Sequence, residues 1–88
     1  MIEGTLKNGF AYKIDAEALA DDFELLELYA KVSESIIHIP ELLVKLLGKE
    51  QAEALKDHLR GPDGRVKSSD IFDALGEIEE VIPQAVKN

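Results

Sequence analysis

Two histidines, His38 and His58, and eighteen carboxylates are the side chains of this sequence best suited to move a proton or hold a metal. The histidines stand in different segments with no His-x-x-x-His or Glu-x-x-His spacing, so a metal site would need a coincidence of distant elements. His58 falls just before Gly61, where a cation suits the negative end of a helix dipole. The carboxylates are dense enough to form pairs on any helix, and nothing in their pattern marks one for burial and a shifted pKa. Asp63-Gly64-Arg65-Val66 lies near the spacing of a calcium loop, but placing Gly64 at loop position 6 puts Leu59 and Gly61 at positions 1 and 3, where oxygen ligands are required. A tight turn followed by a helix capped by Ser68 or Ser69 accounts for the same residues. With no cysteine there is no disulfide, thiolate metal site or cysteine nucleophile. The expectation is a protein without catalytic residues, metal or cofactor.

The elements that carry these side chains must fit in 88 residues, 45% of them hydrophobic, which is enough for one modest core and too little for a two-domain enzyme. We read residues 1–88 as one domain: a β-hairpin over 1–15, a helical region over 21–82 and a frayed tail over 83–88. The net charge of −8 opposes both a nucleic-acid backbone and an anionic membrane surface. No basic leader follows Met1, and no apolar run approaches the ~20 residues that span a bilayer, so the chain reads as soluble and intracellular. The negative charge is concentrated. Residues 15–34 hold seven acids against Lys31, and residues 68–88 hold five against Lys87, whereas 35–67 are nearly neutral.

The N-terminal pattern selects its own hairpin register. A two-residue Asn8-Gly9 turn would split the apolar residues between two faces. A three-residue loop, Lys7-Asn8-Gly9, with Gly9 in the left-handed conformation, pairs Leu6 with Phe10, Gly4 with Tyr12 and Ile2 with Ile14, all on one face. Glu3 then opposes Lys13 on the other face.

Four helices follow, giving a mainly α fold with a four-helix core under an N-terminal β-hairpin, α+β if the hairpin is counted. The first, Phe23 to Ser35, is capped by Asp21 or Asp22; Glu24, Glu27, Lys31 and Glu34 make one narrow polar stripe and nearly everything else is apolar. The second opens around Pro40, closes at Gly48 and is the most hydrophobic segment. The third, Glu50 to Arg60, turns Ala52, Leu55 and Leu59 inward and stops at Gly61. The fourth carries Ile71, Leu75, Ile78 and Ile82 on one stripe and ends at Pro83. The apolar excess on the first two helices leaves surface for a partner, and the candidate contact residues are Phe23, Leu26, Tyr29, Ala30, Ile36, Ile37, Leu43 and Leu47.

An acyl carrier protein is the enzyme-associated rival for a short, acidic, helical chain. Its Asp-Ser-Leu motif at a helix start is reversed here as Ser69-Asp70-Ile71, and Ser33, Ser35 and Ser68 have no preceding Asp. A small acidic adaptor or antitoxin-like protein, covering a basic partner surface, is a further alternative.

Several pieces, read in order, resemble the tail assembly chaperones of bacteriophages with long non-contractile tails. They are Gly9-Phe10 with Tyr12, Ile14 and Asp15; Asp21-Asp22-Phe23-Glu24-Leu25-Leu26-Glu27; Pro40 before Leu42-Leu43 and Leu46-Leu47-Gly48-Lys49-Glu50-Gln51; Leu55-Lys56-Asp57-His58-Leu59-Arg60; and Asp63-Gly64-Arg65-Val66. They cover about residues 9–80, with Phe23 standing where the family more often has tryptophan. The resemblance implies a non-enzymatic protein of the host cytoplasm, made during infection, that binds the tape measure protein and, as a second partner, the tail tube subunit. It also implies that a longer frameshifted product arises in many such phages.

Overall fold

A computed structural model of the chain describes the backbone of residues 1–86 and the side chains of residues 1–81. Strand β1 (Ile2–Thr5) and strand β2 (Ala11–Ile14) form a two-stranded antiparallel sheet in the expected register, with Ile2 opposite Ile14, Glu3 opposite Lys13 and Gly4 opposite Tyr12. The Leu6 N–H donates to the Phe10 carbonyl at 2.9 Å and the Gly9 N–H to the Leu6 carbonyl at 2.8 Å, closing the three-residue loop. Gly9 has φ +94°, a value that a side chain at this position would make costly. Lys13 and Glu3 pair at 3.3 Å on the solvent face. Gly4 is equally constrained: the Tyr12 ring lies across it, and a Cβ there would meet the phenol oxygen at 2.5 Å.

Helix α1 (Ala16–Ala20) is an element the sequence reading leaves out, because five residues are too short to show a helical period. Its cause is local. The Asp15 carboxylate accepts from the Ala18 N–H at 3.1 Å, and the Ala-rich turn that follows packs on the C-terminal helix. Helix α2 (Phe23–Glu34) starts at Asp22, whose carboxylate accepts from the N–H groups of Glu24 and Leu25 at 3.0 and 3.2 Å. The same carboxylate pairs with Lys45 at 2.9 Å, which holds its pKa below the usual carboxylate range and raises that of the lysine. Extended backbone at Ser35 ends α2, and a single 3₁₀ turn over Ile36–His38 leads into α3 (Ile39–Leu47), with Pro40 in its first turn. Gly48, at φ +83°, closes α3 and opens α4 (Lys49–Leu59), one residue earlier at each end than expected.

Gly61 and Gly64 close the predicted turn through a 2.9 Å bond, and the Gly61 N–H donates to the Arg65 carbonyl at 2.8 Å. Helix α5 (Ser68–Val86) follows. Ser68 is its first helical residue, and the Lys67 carbonyl accepts from Asp70 and Ile71, so the flanking position belongs to Lys67 instead of a serine. The helix also runs through Pro83, which corrects the expected stop there. Proline at this position lacks the N–H that would bond the Glu79 carbonyl one turn back, so the last turn of α5 runs with one backbone bond fewer. Residues 87–88 of the expected tail, and the inward placement of the Ile82 side chain, lie outside the described residues.

The architecture is mainly α with an N-terminal β-hairpin. One hydrophobic cluster joins Leu6, Tyr12 and Ile14 of the hairpin to Leu25, to Leu42, Leu43, Leu46 and Leu47 of α3, to Ala52 and Leu55, and to Ala74, Leu75 and Ile78. Helix α3 contributes four of these residues and packs against α2, α4 and β2, as its hydrophobicity predicts. The hairpin is fastened by side chains from α4. The Gln51 amide accepts from the Lys13 N–H at 2.7 Å and donates to the Lys13 carbonyl at 2.6 Å, acting as a one-rung substitute for a third strand. It donates also to the Leu47 carbonyl at 2.7 Å. The His58 Nε2 bonds the Asn8 carbonyl at 2.8 Å while its ring stands tilted against Phe10. Occupation of the β2 edge by Gln51 blunts it against strand addition at Lys13.

Candidate partner-binding surface

The eight candidate contact residues separate into four environments. Phe23, Leu26 and Ala30 lie on the outer face of α2, with Phe23 71% and Leu26 64% exposed. Ile36 and Ile37, at 70% and 74% exposure, project from the 3₁₀ turn. Leu43 and Leu47 are buried at 4% and 5%; Leu47 belongs to the core alone, which corrects its placement on a binding surface, whereas Leu43 also borders the cleft described below. Helix α3 is central, packed on several sides, so its apolar excess is consumed by the protein's own core. The exposed apolar residue that α3 does supply is Val44, at 45%.

Tyr29 is intermediate. Burial pushes its phenol up to about 12, with the charge of Glu79 adding to the shift, so it is a neutral hydrogen-bonding group at physiological pH. Burial likewise raises the pKa of Glu79. A carboxyl group raised in the folded state binds more protons folded than unfolded, so its destabilising effect appears as pH rises from 4.5 through the folded value and is absent below that range. Glu79→Gln is therefore expected to raise the urea midpoint at pH 7 and to leave it unchanged near pH 3. An equal effect at both pH values would show that charge burial is not the cause.

Ile36 and Ile37 border a cleft of about 540 Å³ between the 3₁₀ turn, the start of α3 and the first turns of α5. Local chemistry builds each wall. The Ser35 hydroxyl accepts from the Ile37 N–H at 3.3 Å, which turns the chain sharply out of α2 and leaves two β-branched side chains in solvent. Pro40 and Leu43 form the wall on α3, so Leu43 touches the cleft while remaining part of the core. Val66 and Ile71 close the far side with Phe72, which is 42% exposed. Lys56, the cation that lines the cleft, is already paired with Glu53 at 3.0 Å. Phe23 and Leu26 lie outside this cleft.

Phe72 and Val66 were not among the expected contact residues. Phe72 is one position off the inward stripe of Ile71, Leu75 and Ile78, so its outward direction was readable, but its meeting with Ile36 and Ile37 depends on how α5 packs. His38 does not join a ligand group; it stands 3.6 Å from Glu41. Among the described residues no polar or charged side chain is buried, and no three His, Cys, Asp or Glu side chains are grouped to hold a metal ion. What the cleft can do chemically is cover an apolar side-chain ridge. Among the described residues no helix is long and apolar enough to cross a membrane. No protein-family model matches the chain, and neither the curated proteins nor the solved structures contain a match.

Proposed function

We propose that this chain is a tail assembly chaperone of a long non-contractile-tailed bacteriophage, a non-enzymatic protein of the host cytoplasm that holds the tape measure protein, and secondarily the tail tube subunit, before tail assembly. The observation that carries this reading is the open apolar cleft of Ile36, Ile37 and Phe72 on a chain of net charge −8. A long helical client exposes apolar ridges until the tube surrounds it, and a protein that masks them needs an apolar groove and enough charge to stay dispersed. Burial of the client ridge is the main driving term, so moderate salt should not dissociate the complex.

Co-expression provides the test. A tape measure protein co-expressed with this chain should move from the insoluble to the soluble fraction, and the two should co-purify. A client that stays equally insoluble with and without the chain would remove the chaperone reading.

A further inference from the structure

The cleft has a charged flank that belongs to one face of α5. Asp70, Asp73, Glu77 and Glu80 recur at i, i+3, i+7 and i+10, so they form a single stripe about 15 Å long at the helical rise. All four line a second cleft, and Phe72 lines both that cleft and the apolar one, making the two surfaces adjacent. Lys7 borders the acidic cleft, yet none of the four carboxylates has a cationic side chain within ion-pair distance among the described residues. Glu77 is held in place by the Lys7 N–H, which donates to its Oε1 at 2.9 Å. The other acidic helix differs. There Glu24 lies 3.8 Å from Lys45, and Glu24 and Glu27 share their surface with Lys31 and Lys45.

From this juxtaposition we infer that the occupant of the apolar cleft is an amphipathic helix with one basic flank, seated with its apolar ridge against Ile36, Ile37 and Phe72 and its Lys or Arg side chains over the α5 stripe. This rests on reading the cleft as the client site and adds the chemistry of the client segment. Apolar burial holds such a helix, and charge selects which helix and which orientation. A second copy of this chain is a poor occupant, because its own excess of acids would be brought against the same stripe.

Three synthetic helical peptides of about 20 residues, long enough to hold a helix once docked, make the test on the full chain. They share one leucine ridge and carry Lys, Gln or Glu along the flank. At low salt the Lys peptide should bind about tenfold tighter than the Gln peptide, as expected of a few exposed ion pairs, and the Glu peptide weakest. The Lys preference should fade in high salt while Gln-peptide binding persists. Asp73→Lys combined with Glu80→Lys leaves the stripe with two acids and two lysines and should erase the Lys preference, with circular dichroism confirming an unchanged fold; Glu77 is left alone because it holds the hairpin. Equal binding of all three peptides to the unaltered chain, or an undiminished Lys preference in the double variant, would overturn the inference. So would a dimer in sedimentation equilibrium that Phe72→Ser dissociates, since the cleft would then be filled by a second copy. The chaperone reading fails separately: a Lys preference alongside a client that stays insoluble sinks that reading and leaves the charge readout standing.

Discussion

Leu55→Ala is expected to remove about 2–5 kcal/mol of folding stability, the range for truncating a fully buried leucine whose cavity the surroundings cannot refill. Leu55 is 0% exposed and sits in the cluster shared with α3 and α5. A chain of 88 residues holds roughly 4–13 kcal/mol in total, so the loss is a large share of what keeps the protein folded. The measurement is a urea titration followed by helical circular dichroism, with the midpoint falling and the slope preserved. Leu26→Ala is the matched control: 64% of Leu26 is already in solvent, and its truncation should change stability by less than about 0.5 kcal/mol. Equal midpoints for the two variants would mean that the core is not centred on Leu55.

The largest functional effect should come from Ile36→Ser combined with Ile37→Ser. Both side chains are at least 70% exposed, so their removal costs the isolated protein little and the melting temperature should stay within a few degrees. In the complex they would be covered. Each buried aliphatic side chain is worth about 1.5–3 kcal/mol, and losing two at partial efficiency should weaken client binding about a hundredfold. Isothermal titration against a client fragment reads the loss directly. Phe23→Ser with Leu26→Ser, on the outer face of α2, removes similar apolar area outside the cleft and should leave affinity within about threefold. If the α2 pair abolishes binding and the 3₁₀-turn pair does not, the client site lies on α2.

The two pairs of variants separate what the residue pattern could decide from what it could not. Both Phe23/Leu26 and Ile36/Ile37 stand out in the sequence as apolar side chains in excess of a single helix face, and the structure leaves all four in solvent. Leu43 and Leu47 belong to the same hydrophobic run and carry no local mark that distinguishes them, yet they are core. Burial there depends on how many neighbours surround α3, which periodicity within one helix does not encode.

Where contacts are short in sequence, the residues by themselves determined the outcome. The hairpin register follows from alternation and from one glycine that tolerates φ +94°, the α2 start from one aspartate, and the α3 boundaries from Pro40 and Gly48. Each is settled by atoms a few residues apart, where steric and hydrogen-bonding options are few. Helix α1 was within the same reach through the Asp15 cap, but one turn offers no period to detect. Tertiary structure alone decided the rest. Gln51 meets Lys13 across 38 positions, His58 meets Asn8 across 50, and Phe72 joins Ile36 and Ile37 at one cleft. These meetings depend on the packing of whole helices, because a side chain's direction on its own helix says which way it points and not what the fold brings opposite it.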